Sequence, residues 1–309
     1  MSVIGDRILL ATDGSPEAES AAGMAVTLSE KLGSGLHVVC VEPMPDPLSW
    51  PESRVVAPEL GGDIRERAED EVRKKLEGEA EKIRKMGVEV SGVHAGVGRP
   101  DAEIVRVAEE LGAGLIVVGS RGMGPVKRAV MGSVSGSVVH HAHCSVLVVR
   151  DHDGEDSPPG GILLAVDGSG QAQVATEVAV EISASTGSRL HVVFVMPAAE
   201  HLYGPHFYSE EIKGSVREQA EGDVRAFLDE RVAWIEDHGG NVEDTHTAVG
   251  KPDAEIVKLA EELRVGLTVV GSRGLGGVRR ALVGSVSDSV VRHAHGPVLV
   301  ARGEESQAT

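Results

Sequence analysis

Two stretches of the 309-residue chain have the residue types and spacing to hold an anion. Gly119-Ser120-Arg121-Gly122 is followed by nine residues and then Gly132-Ser133; Gly271-Ser272-Arg273-Gly274 is followed by nine residues and then Gly284-Ser285. Glycine lets backbone N–H groups approach an anion without interference from a Cβ. A Gly-Ser pair opening a helix (GSVSGSVV, GSVSDSVV) adds unpaired N–H groups, a hydroxyl and the positive helix end at one point. Phosphate is the chemistry this pattern suits. A structural reading competes with it: Gly119 and Gly122 shape a turn, and Ser133 or Ser135 caps a helix. Arg121 and Arg273 can pair with a phosphate, whereas Lys127, Arg128, Arg279 and Arg280 between the glycine pairs read as solvated helix charges.

Asp13 and Asp167 form a second candidate pair, in ATDGS and AVDGS. A carboxylate just past a strand end can accept hydrogen bonds from ribose hydroxyls or an adenine amine. It can equally make an N-cap or Asx turn for a helix starting at Pro16, and both can hold at once. His140, His141, His143 and Cys144 invite a zinc reading, but Arg292 and Gly296 replace two of them beside His293 and His295 later in the chain. Histidines closing a helix are the better reading there. His94 and His246 are expected at the ligand-side end of a strand, as packing or edge residues.

These candidates come in pairs because the chain is a duplication. RILLATDGS from Arg7 matches GILLAVDGS from Gly161, and LHVVCVEP from Leu36 matches LHVVFVMP from Leu190. GRPDAEIV from Gly98 matches GKPDAEIV from Gly250, and LIVVGSRGMG matches LTVVGSRGLG. A repeat of this length means two whole domains rather than a solenoid. The acidic, Pro- and Gly-rich RDHDGEDSPPGG reads as a linker, dividing the chain into residues 1–150 and 161–309 around 151–160.

Within the first copy, RILLA, LHVVCV, VEVSGVHA, LIVVG and SVLVV are short, β-branched and nearly continuously apolar, as in strands of a parallel sheet covered on both faces. Between the second and third runs, Ile64, Ala68, Val72, Leu76, Ala80 and Ile83 recur about every fourth residue. Ile212, Val216, Ala220, Val224, Leu228, Val232 and Ile235 repeat the pattern, so both segments read as amphipathic helices closed by Gly87 and Gly239. The predicted fold is α/β: two tandem Rossmann-like domains, each a five-stranded parallel sheet flanked by helices, with ligands beyond the carboxyl ends of the strands. The segments after strand two, which hold Trp50, Tyr203, Phe207 and Tyr208, read either as lids over the sites or as covers for a sheet edge or a domain contact.

Composition narrows the partners. Thirty Lys and Arg against 48 Asp and Glu give a net charge of −18, which argues against nucleic acid or an anionic membrane. Any phosphate must therefore be held by local groups. Two cysteines, Cys40 and Cys144, are not duplicated and suit a reducing compartment. The N-terminus lacks the features of a signal peptide and no apolar run is long enough to span a bilayer, so a cytoplasmic protein is expected.

The glycine spacing, with the ATDGS-like strand end, resembles the universal stress protein family over nearly the whole chain, twice. In that family's ATP-binding branch the glycine segment wraps phosphates and ribose, and the aspartate after strand one with the end of strand two holds adenosine. The resemblance implies a first site of Ala11, Asp13, Val41, Gly119, Arg121, Gly122, Gly132, Ser133, Val134 and Ser135. It implies a second of Ala165, Asp167, Val195, Gly271, Arg273, Gly274, Gly284, Ser285, Val286 and Ser287. Val166 stands where the first copy has Thr12. The implied ligand is ATP, ADP or AMP with Mg²⁺, bound by a stress-response regulatory module. A slow ATP hydrolase or autophosphorylating protein is the alternative, although no Walker lysine, HRD or DFG motif is present. A scaffold with vestigial sites predicts one copy without its glycines, and both copies keep them. The resemblance also implies antiparallel pairing through the last strands, which the two halves can satisfy as a pseudo-dimer, with a homodimer of chains conceivable.

Overall fold

The computed structural model describes residues 2–43, 58–122, 131–150, 160–197, 210–274 and 283–303, without the side chains of 58–69 and 210–217. The linker residues 151–159, the aromatic residues Trp50, Tyr203, Phe207 and Tyr208, and Lys127, Arg128, Arg279 and Arg280 lie outside the described residues. The chain divides into two compact units, Met1–Asp151 and His152–Thr309.

In the first unit the order is β1 (Arg7–Ala11), α1 (Pro16–Leu32), β2 (Gly35–Pro43), α2 (Pro58–Lys85), β3 (Val90–Gly98), α3 (Pro100–Leu111), β4 (Leu115–Gly119), α4 (Ser133–His141) and β5 (Ser145–Val149). The second repeats it as β6 (Ile162–Val166), α5 (Gly170–Thr186), β7 (Leu190–Pro197), α6 (Glu210–Asp237), β8 (Val242–Gly250), α7 (Pro252–Leu263), β9 (Leu267–Gly271), α8 (Ser285–His293) and β10 (Val298–Ala301). Strands run β3-β2-β1-β4-β5 in one unit and β8-β7-β6-β9-β10 in the other, with parallel neighbours. The chain builds outward from β1 to β3, then crosses back to place β4 on the other side of β1. Strand order therefore reverses between β1 and β4, where the carboxyl ends diverge and leave a crevice.

The central strands are apolar throughout because helices cover both faces: Ile8, Leu9, Leu10, Leu115, Ile116 and Val117 are all fully buried. Helix α1 begins where the sequence supplies a start: the Ser15 hydroxyl accepts from the Ala18 N–H at 3.3 Å, and Pro16 takes the first turn. Gly33 closes it in the left-handed conformation. In α5, Ser169 and Gly187 do the same work.

The edge strands depart from expectation. β3 runs on to Gly98, so His94 sits mid-strand opposite Val39 rather than at the ligand-side end, and His246 sits opposite Val193. Instead of facing the crevice, His94 Nε2 meets His37 Nδ1 at 3.2 Å, and His246 Nε2 meets His191 Nδ1 at 3.3 Å. Burial holds His94 below the ordinary imidazole range, and burial and the neighbouring ring do so for His37.

One helix end carries a strained residue. Gly112 closes α3 at φ 60°, and its counterpart after α7 is Arg264 at φ 50°, where a Cβ crowds the following carbonyl. Arg264→Gly is expected to stabilise the protein by about 0.5–1 kcal/mol, the relief of that crowding less the added freedom of glycine in the unfolded chain. Chemical denaturation of the variant beside the parent chain measures it.

Candidate functional site

At the strand-order reversal of each unit lies a cavity, about 330 Å³ in the first and about 520 Å³ in the second, within the range that small-molecule ligands occupy. All ten residues proposed for the first site line the first cavity, and all ten proposed for the second line the other. The carboxyl ends of β1, β2 and β4 form its floor through Ala11, Val41 and Gly119, while the first turn of α4 forms one wall. Thr12 and Val166 both reach the lining, so the difference between ATDGS and AVDGS lies at the cavity.

The glycines are required by the protein itself. A Cβ on Gly119 would lie 2.9 Å from the carbonyl carbon and oxygen of Glu17, and one on Gly271 would lie 2.7 Å from the Gln171 oxygen. The end of β4 is thus seated directly on the first turn of α1. A Cβ on Gly122 would meet Asp13 Oδ2 at 2.2 Å, and one on Gly274 would meet Asp167 Oδ2 at 2.4 Å. A side chain at Gly122 therefore displaces the aspartate before it reaches any ligand.

Asp13 makes the Asx turn: its Oδ1 accepts from the Ser15 N–H at 3.0 Å, and Asp167 Oδ1 accepts from Ser169 at 2.9 Å. Each aspartate also lines its cavity. Ser135 and Ser287 are committed differently, their hydroxyls donating to the Gly119 and Gly271 carbonyls at 2.6 Å. That bond ties the helix start to the strand end, so neither hydroxyl is a ligand donor in this arrangement. Ser133 and Ser285 are exposed at the helix starts.

The starts of α4 and α8 lack a side-chain cap, as do those of α3 and α7. Ser15 and Ser169 cap α1 and α5 with side-chain hydrogen bonds, whereas Gly132 and Gly284, the N-caps of α4 and α8, supply none. The first amides of a helix have no partner inside it, and here they open on the cavity through Ser133, Val134 and Ser135. Arg121 lines the same space; its Nη2 lies 3.2 Å from Glu17 Oε1 and its Nε is buried without a hydrogen-bond partner. Amide donors, a positive helix end and a guanidinium thus border one cavity, the kinds of group that attract a phosphate-class anion.

Residues from α3 complete the wall and were not singled out from sequence. Pro100 and Ile104 line the first cavity, Pro252 and Ile256 the second. The Asp101 carboxylate next to Pro100 accepts from Ser137 Oγ of α4 at 2.6 Å and from Arg99 Nη2 at 2.8 Å. Burial pushes its pKa up, but those bonds outweigh burial and hold it below the usual carboxylate range. Asp253 and Ser289 repeat the α3–α4 link at 2.6 Å. The near-identity of GRPDAEIV and GKPDAEIV was the signal that could have pointed here.

The histidine cluster does not converge. His141 Nδ1 lies 2.7 Å from the Ser137 carbonyl and His143 Nε2 lies 3.2 Å from Glu109. Among the described residues, no three His, Cys, Asp or Glu are gathered to hold a metal. Cys40 is buried within β2, and burial pushes its thiol up to about 11. No described helix is long and apolar enough to cross a membrane.

A doubly wound parallel sheet with an anion-ready cavity at its reversal point, present twice, defines the class. The chain belongs to the universal stress protein family, whose model matches residues 5–150 and 161–302. A universal stress protein of Mycobacterium tuberculosis is 34% identical over 225 residues, covering 70% of this chain and 72% of its own. Another from that organism is 30% identical over 305 residues, 96% of each chain. Among solved structures, a universal stress protein from Archaeoglobus fulgidus superposes with a TM-score of 0.63 at 25% identity, covering 99% of each chain.

The close seat of β4 on α1 yields a direct test. Gly119→Ala should destabilise the chain by about 1–3 kcal/mol, because the contact is backbone and cannot rotate away. Gly78→Ala, at an exposed position of α2 with open space around it, should stabilise it by about 0.5–1 kcal/mol. Denaturation midpoints of the two variants should move in opposite directions.

Proposed function

We propose that each unit binds one adenine nucleotide, with ATP and its Mg²⁺ as the principal ligand, and that occupancy makes the chain a nucleotide-dependent regulatory module of a stress response. One observation carries the reading: in both units an uncapped helix start, a glycine pair and an arginine border the same cavity. The net charge of −18 repels a polyanion at long range, so a triphosphate needs short-range donors of this kind. The phosphates are assigned to the first turns of α4 and α8. Asp13 and Asp167, which line the cavities, suit the ribose hydroxyls, and Val41 and Val195 suit the flat face of the base.

The donors are arranged for holding rather than for bond breaking. Among the described lining residues the carboxylates are Asp13 and Glu42 in one cavity and Asp167 in the other, and no histidine lines either. The reading is accordingly one of binding, with no residue assigned to activate water.

Calorimetric titration of the nucleotide-stripped full chain with Mg-ATP should give one binding event per unit. Val41 and Val195 are partly exposed at the cavity floor, so Val41→Trp and Val195→Trp fill the cavities without entering the core. Each substitution should remove one binding event, and the double variant should remove both. Absence of binding by folded parent protein would overturn the reading.

A further inference from the structure

The two cavities share a backbone and differ in charge. The first-turn position that carries Glu17 on α1 carries Gln171 on α5. Glu17, with its side chain 18% exposed, turns toward Arg121 at 3.2 Å, and the fully buried Ser120 Oγ is left without a hydrogen-bond partner. Gln171, 4% exposed, turns inward: its Oε1 accepts from Ser272 Oγ at 2.9 Å and its Nε2 donates to the Gly303 carbonyl at 3.4 Å. A neutral amide can be buried between a hydroxyl and a carbonyl because it offers both an acceptor and a donor. An ionised carboxylate would face the carbonyl with a second acceptor and lose its hydration. The Glu-to-Gln difference therefore decides which way the side chain points. It also decides whether the cavity arginine is neutralised: Arg121 has a carboxylate partner, and the Arg273 side chain has none among the described residues.

Two further differences run the same way. Glu42 lines the first cavity, and the position that follows Val195 in the second unit is Met196. Phe194 lines the second cavity with the Phe227 ring edge-on behind it at 5.6 Å, where the first unit has the buried Cys40. The first cavity is thus lined by Asp13 and Glu42, with Glu17 paired to the lining Arg121, whereas among the described residues the second is lined by one carboxylate, Asp167, and an aromatic wall.

We propose that the two sites are matched to nucleotides of different charge. The second site prefers the triphosphate over the monophosphate more strongly than the first does, with the residue at positions 17 and 171 setting the difference. The inference rests on the nucleotide reading above. Removing the carboxylate that pairs with the cavity guanidinium, and a second carboxylate from the cavity lining, raises the preference for the more highly charged ligand. At low ionic strength the effect is on the order of tenfold or more.

The test uses full chains with one cavity filled: Val195→Trp to leave the first site, Val41→Trp to leave the second. Each is titrated with ATP and with AMP at low salt without divalent metal, so that phosphate charge is unscreened. The ratio of ATP to AMP affinity should be about tenfold or more higher in the chain that keeps the second site. Glu17→Gln added to the Val195→Trp chain should raise its ratio toward that of the second site, and Gln171→Glu added to the Val41→Trp chain should lower it. Each swap installs a side chain that the other unit already accommodates, and circular dichroism checks that each variant is folded. Equal ratios, or ratios unmoved by the swaps, would overturn the inference and leave the nucleotide reading standing. Failure of ATP and AMP alike to bind either chain would overturn both.

Discussion

The mouth of each site depends on a contact between backbones, the last residue of β4 seated on the carbonyl of Glu17 and, in the second unit, the last residue of β9 seated on Gln171. No side chain fits at that seat, so the residue is Gly119 in one unit and Gly271 in the other. Drawing the start of α1 onto the end of β4 closes one side of the crevice and brings the Asx turn of Asp13 against Gly122. From the same strand end the Gly119 carbonyl receives the Ser135 hydroxyl, which fixes the start of α4 over the opening. The helix amides at the cavity are thus oriented by interactions that involve no ligand. Such preorganisation lowers the ordering cost of binding.

Much of this was legible in the sequence because it is written in backbone requirements. Glycine spacing, the aspartates of ATDGS and AVDGS before a helix, and unbroken apolar strands each leave a mark in residue type, and the duplication showed each mark twice. All twenty residues carried over from the family pattern reach one cavity or the other. What stayed hidden depended on tertiary partners. The spacing that placed Ser135 near a phosphate could not show that its hydroxyl is spent on Gly119. The glycines read as room for an anion are also room for Glu17 and Asp13. His94 was misplaced because nothing in VEVSGVHA marks how far an edge strand continues, and its partner His37 is 57 residues away in the chain. Pro100 and Ile104 escaped notice because their segment carries no chemistry of its own.

The comparison of the two units separates what the fold demands from what each site is free to vary. The glycine seats, the Asx turns, the serine ties and the links from Asp101 to Ser137 and from Asp253 to Ser289 recur with nearly the same distances. Positions 17, 40 and 42 of the first unit differ from 171, 194 and 196 of the second in charge or size; Glu42 and Phe194 line a cavity, and Glu17 pairs with the lining Arg121. The variation falls on groups that would tune a ligand, while the glycine seats, Asx turns and serine ties that shape the cavity recur.

The central claim is that the first amides of α4 and α8 hold the anion. Nitrogen-15 spectra of the full chain during titration with ATP address it residue by residue. The account predicts that the amide signals of Ser133, Val134, Ser285 and Val286 move in step with occupancy and that their hydrogen exchange slows. Binding that leaves these four amides unmoved and unprotected, while perturbing residues elsewhere, would contradict it.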